Sequence, residues 1–316
     1  MEPVRDRPSL TDIYDLASNF APEARSLYLY GSSFEERFGH MADWTSKTKD
    51  VTFLQIEKQN PSNFVYRENG EEKAVALRSE KQLSSFWQYA IQWSEGFVYV
   101  DITGFAHHVW APLLRSGLAQ SRHLRVVYVE PAKYRFSVSP TEAEIFDLSE
   151  RIEGVAPLPG FASLASTPQE KTCFVPLLGF EGPRLSYLIE QVQPLPSKIL
   201  PIIGVPGFRA EFPFFAYHGN RLPLTETLSW KNVRYSAAND PFSLFYCLED
   251  IASDYPTDTL KIAPIGTKPH ALGAVIYAMS RPKSVELIYD HPVRKVKRTE
   301  GTGRLLVFHV STFFRN

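Results

Sequence analysis

Gly266-Thr267-Lys268 stands between an apolar run and a helix-forming one. A glycine turn that opens a helix presents unpaired amides at the positive end of the helix dipole, and a hydroxyl and an ammonium beside them suit a phosphate. Pro269 fits the first helical turn, where its missing N–H costs nothing. The plain alternative is a helix entry with a solvated lysine. Asp101-Ile102-Thr103-Gly104 is the counterpart earlier in the chain, again ending an apolar run before a helix. A carboxylate there can act as a general base or metal ligand, or simply hold nearby amides.

A third turn, Gly31-Ser32-Ser33, is followed by Glu35, Glu36 and Arg37. It offers amides and two hydroxyls to an anion. Glu35 and Arg37 recur as Glu181 and Arg184, so each pair reads either as part of a ligand site or as a structural ion pair beneath one. The candidate ligand-binding set is therefore Ser32, Ser33, Arg37, Asp101, Thr103, Gly104, Arg184, Gly266, Thr267 and Lys268, with Asp101 the catalytic candidate.

Other chemistry finds little footing. There is no G-x-G-x-x-G, Walker A, G-x-S-x-G or H-E-x-x-H pattern. His107-His108, with His270 as a later match to His108, lack the spaced carboxylate or cysteine partners of a metal site, so no metal is expected. Cys173 and Cys247 sit in apolar surroundings and read as buried thiols. No cofactor is expected, and a nucleotide is the one small ligand the turns invite. Arg294, Lys295, Lys297, Arg298 and Arg304 make a basic hairpin over 294–304, either a charged edge ribbon or a contact for nucleic acid. The aromatic stretch Phe208–Tyr217 reads as core or protein interface, because only Arg209 and Arg221 interleave the positive charge that base stacking on single strands requires.

The elements that position these turns repeat. Residues 97–131 and 260–292 share the form strand, turn, helix, strand, at an almost constant spacing between Asp101–Gly104 and Ala263–Gly266 and between Tyr128–Pro131 and Tyr289–Pro292. Strands are expected at 26–30, 51–57, 97–102, 124–129, 172–178 and 199–205, with helices between them and a short helix at 10–16 capped by Ser9 or Thr11. Each half closes with a β-hairpin, over 133–148 and 294–310. The fold class is α/β: two tandem Rossmann-like halves with largely parallel sheets, 1–150 and 171–316, joined by a linker at 151–170 rich in Pro, Gly and hydroxyl residues.

With 316 residues, 44% hydrophobic, a net charge of −1 and a pI near 6.7, an ordinary core is expected, and bulk attraction to nucleic acid or anionic membrane is not. No apolar run approaches a membrane span and no leader pattern opens the sequence, so a cytoplasmic protein is expected.

Ser32-Ser33 after the first strand, Asp101-Ile102-Thr103-Gly104 before a helix, and Gly266-Thr267-Lys268 in the second half resemble CARF and related nucleotide-sensing domains of prokaryotic defence systems. The resemblance implies a nucleotide- or oligonucleotide-binding component of an antiviral complex with protein partners, its two halves forming one groove. It departs from that pattern in carrying both halves in one chain. The alternatives are an enzyme using Asp101 on a nucleotide or nucleic acid, and a non-catalytic scaffold docking a larger protein through Phe212–Tyr217.

Overall fold

The computed structural model describes residues 10–314, apart from 34, 49, 122, 142–144 and 164–166. The first elements in chain order are β1 (Thr11–Tyr14), β2 (Ser26–Gly31), α1 (His40–Lys47), β3 (Val51–Gln59), β4 (Asn63–Glu68), β5 (Glu71–Ala76), α2 (Glu80–Ile91), β6 (Val98–Asp101), α3 (His107–Gln120) and β7 (Leu124–Tyr134). Then come β8 (Ser149–Ile152), β9 (Ala156–Pro157), β10 (Thr172–Leu177), α4 (Gly182–Val192), β11 (Ile202–Gly204), α5 (Phe212–Gly219), α6 (Arg221–Glu226), β12 (Arg234–Ser236), α7 (Pro241–Asp254), β13 (Thr259–Pro264), α8 (Lys268–Ser280), β14 (Val285–Tyr289) and β15 (Pro292–Arg294). β16 (Thr299–Phe308) and α9 (Val310–Phe313) end the chain.

The chain forms two compact units, one of Arg135–Arg298, the other of the described residues up to Tyr134 together with those from Thr299. This division differs from the expected boundaries at 150 and 171, because the last strand belongs with the first sheet. Leu305, Leu306, Val307 and Phe308 are all fully buried, and β16 pairs antiparallel with β7 on one side and with β1 on the other. Four consecutive buried apolar residues need cover on both faces, which a free terminal hairpin does not provide.

The N-terminal unit is built on a mixed eight-stranded sheet of order β1-β16-β7-β6-β2-β3-β4-β5. Its middle strands β7, β6, β2 and β3 are parallel, and the outer ones antiparallel. Phe20, Tyr28, Trp44 and Tyr99 pack as a ring cluster on one face with Val127, Val129, Leu305 and Val307. Asn69 and Gly70 both take positive φ, 50° and 86°, as the tight turn of hairpin β4–β5 requires.

The C-terminal unit carries a six-stranded sheet of order β12-β11-β10-β13-β14-β9, in which all but β9 are parallel. Helix α8 is apolar on every side, and ten of its thirteen residues, Pro269–Ala278, are buried. Phe174, Leu185, Leu188, Ile203 and Leu224 fill the opposing core.

Four further expectations are corrected. Residues 11–14 form a strand, because Thr11–Tyr14 pair with Phe308–Leu305; Ser9 lies outside the described residues. The segment after Ser33 gives a three-residue 3-10 turn, Glu36–Phe38, before α1. Neither hairpin forms as read. β7 runs on to Tyr134 to meet β16, β15 pairs with β8, and Phe136–Phe146 is the remaining bridge of the first. The expected linker likewise supplies β9, an edge strand on β14.

Leu306→Ala should destabilise the N-terminal unit by about 2–5 kcal/mol, the cost of a buried leucine truncation. Trp44, Trp87, Trp93 and Trp110 all lie in that unit, so the tryptophan fluorescence transition in urea should move to lower denaturant. An unmoved transition would mean that β16 is dispensable there.

Candidate functional site

In each sheet the chain reverses its direction of winding between two adjacent parallel strands, β2 and β6 in the first, β10 and β13 in the second. Ligands of open α/β sheets sit beyond the carboxyl ends of such strands. At both places the two loops pack closely on each other.

In the N-terminal unit the loop after β6 lies on the loop after β2. A Cβ on Gly104 would meet the Gly31 carbonyl at 2.7 Å, and one on Gly31 would meet the Phe105 ring at 2.6 Å. The Gln59 amide closes the turn from the side, donating to the Gly104 carbonyl (3.0 Å) and accepting from the Ala106 N–H (2.8 Å). Asp101 is fully buried. One of its oxygens accepts from the Tyr28 hydroxyl at 2.9 Å, the other from the Thr103 N–H at 2.8 Å. The Thr103 hydroxyl accepts from the Val129 N–H at 2.9 Å. Ser33 Oγ accepts from the Glu35 N–H, and exposed Ser32 donates to the Glu57 carbonyl. Arg37, 3% exposed, donates to Glu35 at 2.6 Å, to Tyr128 at 3.2 Å and to the Val129 carbonyl at 2.8 Å.

Glu130, next on β7, is buried against Arg304 of β16 at 3.5 Å. Burial pushes its carboxyl up to about 7, against the pull of Arg304. An acid whose folded pKa lies above its unfolded value stabilises the fold below the unfolded pKa, near 4.5, and loses that contribution as pH rises through about 7. The wild type should therefore be less stable at pH 8 than at pH 5.5 by more than Glu130→Gln is. Urea titrations at the two pH values measure the difference, and equal slopes in both proteins would remove Glu130 as the source.

The C-terminal unit repeats the arrangement. A Cβ on Gly179 would meet the Ile265 carbonyl, and one on Gly266 the Leu178 carbonyl, each at 2.7 Å. Gly182, at the start of α4, lies against the backbone of Gly219, and Asn220 Nδ2 donates to the Gly179 carbonyl at 2.8 Å. Arg184, 3% exposed, grips Asp290 through two hydrogen bonds of 2.6 Å and donates to the Ile265 carbonyl at 3.0 Å. It lies over the Tyr289 ring at 5.8 Å, as Arg37 lies over Tyr128 at 5.6 Å. The Thr267 hydroxyl donates to the Ala238 carbonyl (2.7 Å) and caps the His270 N–H at the head of α8. Lys268 is half-buried beside it. His270 Nε2 faces the Ala237 carbonyl at 3.0 Å, which fixes the proton on that nitrogen, and burial lowers its pKa to about 4, so the ring is neutral.

Three of the basic residues expected in a hairpin are committed as well: Arg294 to Glu181 and Ser149, Lys295 to Asp147, Arg304 to Glu130. Among the described residues no group of three or more His, Cys, Asp or Glu is placed to hold a metal ion, and no helix is long and apolar enough to cross a membrane.

An open groove lies at the carboxyl end of β11 and β12. A groove of about 930 Å³ is lined by Val205 and Pro206 after β11, Phe214, Tyr217 and His218 of α5, and Tyr235 of β12. Phe214 is 75% exposed, Tyr235 65% and Tyr217 45%. The aromatic run Phe212–Tyr217 was legible as a patch; Tyr235 was not, standing alone among polar residues. No family model matches the chain, and no curated protein does.

Proposed function

We propose that the chain is a non-catalytic binding protein whose C-terminal unit docks a protein partner on the aromatic groove. The observation that carries this reading is the contrast at the carboxyl edge of the second sheet. The polar candidates Arg184 and Thr267 are held by internal hydrogen bonds, while Phe214, Tyr217 and Tyr235 face solvent around one groove. Exposed aromatic surface of this kind marks an interaction site, and aromatic anchors dominate interface energetics. Asp101, buried and bonded to Tyr28 and Thr103, serves the fold in this reading and not a reaction. The two units are read as a duplicated Rossmann-like pair, on the strength of the matched Glu35–Arg37–Tyr128 and Glu181–Arg184–Tyr289 clusters.

A photo-crosslinking phenylalanine analogue at Phe214, expressed in the source cells, should give a protein adduct. The same analogue at Trp93, an exposed residue of the other unit, should not, and Tyr217→Asp should abolish the adduct at 214. Adducts that ignore Tyr217→Asp would sink the docking reading.

A nucleotide or oligonucleotide ligand is the second reading, supported by Lys268 at the head of the thirteen-residue α8. Lys268→Ala should then weaken binding of ATP or a tetranucleotide by about 1–3 kcal/mol. Identical titration calorimetry for variant and wild type would exclude Lys268 from such a site.

A further inference from the structure

The turn between β4 and β5 carries Asn69-Gly70, and both residues take positive φ and stand exposed at its tip. A two-residue hairpin requires that conformation, and Asn-Gly is the pair that adopts it most readily. The same pair is chemically labile. The main-chain nitrogen that follows an asparagine lies a ring's length from the side-chain carbonyl carbon, and attack there closes a five-membered succinimide. Whether the ring closes depends on how freely both groups move and on what crowds the nitrogen.

The fold separates the asparagines on those terms. Among the described residues neither the Asn69 side chain nor the Gly70 N–H makes a hydrogen bond. A Cβ on Gly70 would meet nothing within 4 Å, so the nitrogen is open to approach. Elsewhere the reaction is hindered. Asn60 precedes Pro61, whose nitrogen has no proton to give up. Its Nδ2 also donates to Asn63 Oδ1 at 3.0 Å, which holds both side chains. Asn220 is fully buried, with Nδ2 on the carbonyls of Gly179 and Ala216. Asn232 Nδ2 donates to the Ile199 carbonyl at 3.2 Å. Asn19 and Asn239 precede Phe20 and Asp240, whose side chains crowd the nitrogen. An ordered turn slows ring closure, but β5 is the outermost strand of its sheet and pairs with β4 alone, so this hairpin opens more easily than the central strands.

We propose that Asn69 is a site of spontaneous deamidation in the folded chain, and that the change loosens β5. The Gly70 nitrogen loses its proton to solvent and bonds to Asn69 Cγ. The Cγ–Nδ2 bond breaks, and ammonia leaves with a proton from water. Water then opens the ring at either carbonyl. One opening gives aspartate, the other isoaspartate, in which the main chain runs through Cγ. One water is consumed and one ammonia released, and nothing is oxidised or reduced. Either product places a carboxylate between Glu68 and Glu71, which face each other across the turn. Isoaspartate also lengthens the main chain by a carbon, which a two-residue turn cannot absorb in register. Val75 of β5, buried opposite Phe64, is then held less firmly.

The test keeps the full chain at neutral pH and room temperature and samples it over weeks. Peptide mapping should show the segment containing residue 69 gaining about 1 Da, as an amide becomes an acid. That segment should split into two products, one of them a methyl acceptor for an isoaspartyl methyltransferase. Segments carrying Asn60, Asn63, Asn220 and Asn232 should keep their mass. Asn69→Gln should remove the gain, because the longer side chain must close a six-membered ring. In the converted fraction, amides of β5 should exchange at least about ten-fold faster than in fresh protein, with those of β2 and β6 unchanged. An unchanged mass at residue 69, or conversion of buried Asn220 at the same rate, overturns the assignment to the folded hairpin. Full conversion with unaltered exchange in β5 overturns the loosening.

Discussion

The buried pair Arg184–Asp290 fixes the carboxyl edge of the second sheet. Both side chains are almost wholly removed from water, and an ion taken out of water is tolerated only when its partners are close and its remaining donors are used. Two bonds of 2.6 Å to Asp290 and one of 3.0 Å to the Ile265 carbonyl meet that demand. They join the first turn of α4, the residue after β14 and the loop between β13 and α8. The loops at the reversal point therefore cannot part without stranding a buried charge. The glycines at 179 and 266 follow from this closure, because a side chain at either would strike the other loop's backbone.

Closure of the reversal point moves the open surface sideways along the sheet. In the C-terminal unit the segment between β11 and β12 folds as α5 and α6, and the turn joining them covers the start of α4 through Gly219 and Asn220. The aromatic residues of α5 divide as a result. Phe212 and Phe215 meet the Phe180 ring edge-on, while Phe214 and Tyr217 are left outside. An eight-residue helix so rich in rings cannot bury them all on one side, and the rings left over become the groove wall.

Much of the architecture was readable because buried parallel strands announce themselves as unbroken apolar runs, and the turns at 31, 101 and 266 lie where such strands end. Pairing partners were harder. Leu305–Phe308 looks the same in sequence whether it pairs with its hairpin neighbour or with β7, far away in the chain, and only the shared burial of both strands decides. The site residues show the same limit. Arg37, Asp101 and Arg184 are the types a ligand site would use, yet a buried hydrogen-bond network uses those types too, and spacing cannot separate the two. Tyr235 escaped notice because its place at an edge is a property of sheet order rather than of local sequence.

The two units differ most where each sheet ends beyond its second parallel strand. In the first, the hairpin β4–β5 extends the sheet, and its outer strand carries Glu71, Glu72 and Lys73 in exposed positions, with Lys73 bonded to Glu71 at 3.2 Å and Glu72 to Lys58 at 3.0 Å. Charges on an outer strand discourage pairing, since a new strand would have to strip water from each of them. In the second, the outer strand is three residues long, and its outward residue is a tyrosine flanked by a groove on either face. Desolvating an aromatic ring beside an apolar groove is favourable, not costly. The two edges thus differ in side-chain chemistry more than in backbone topology.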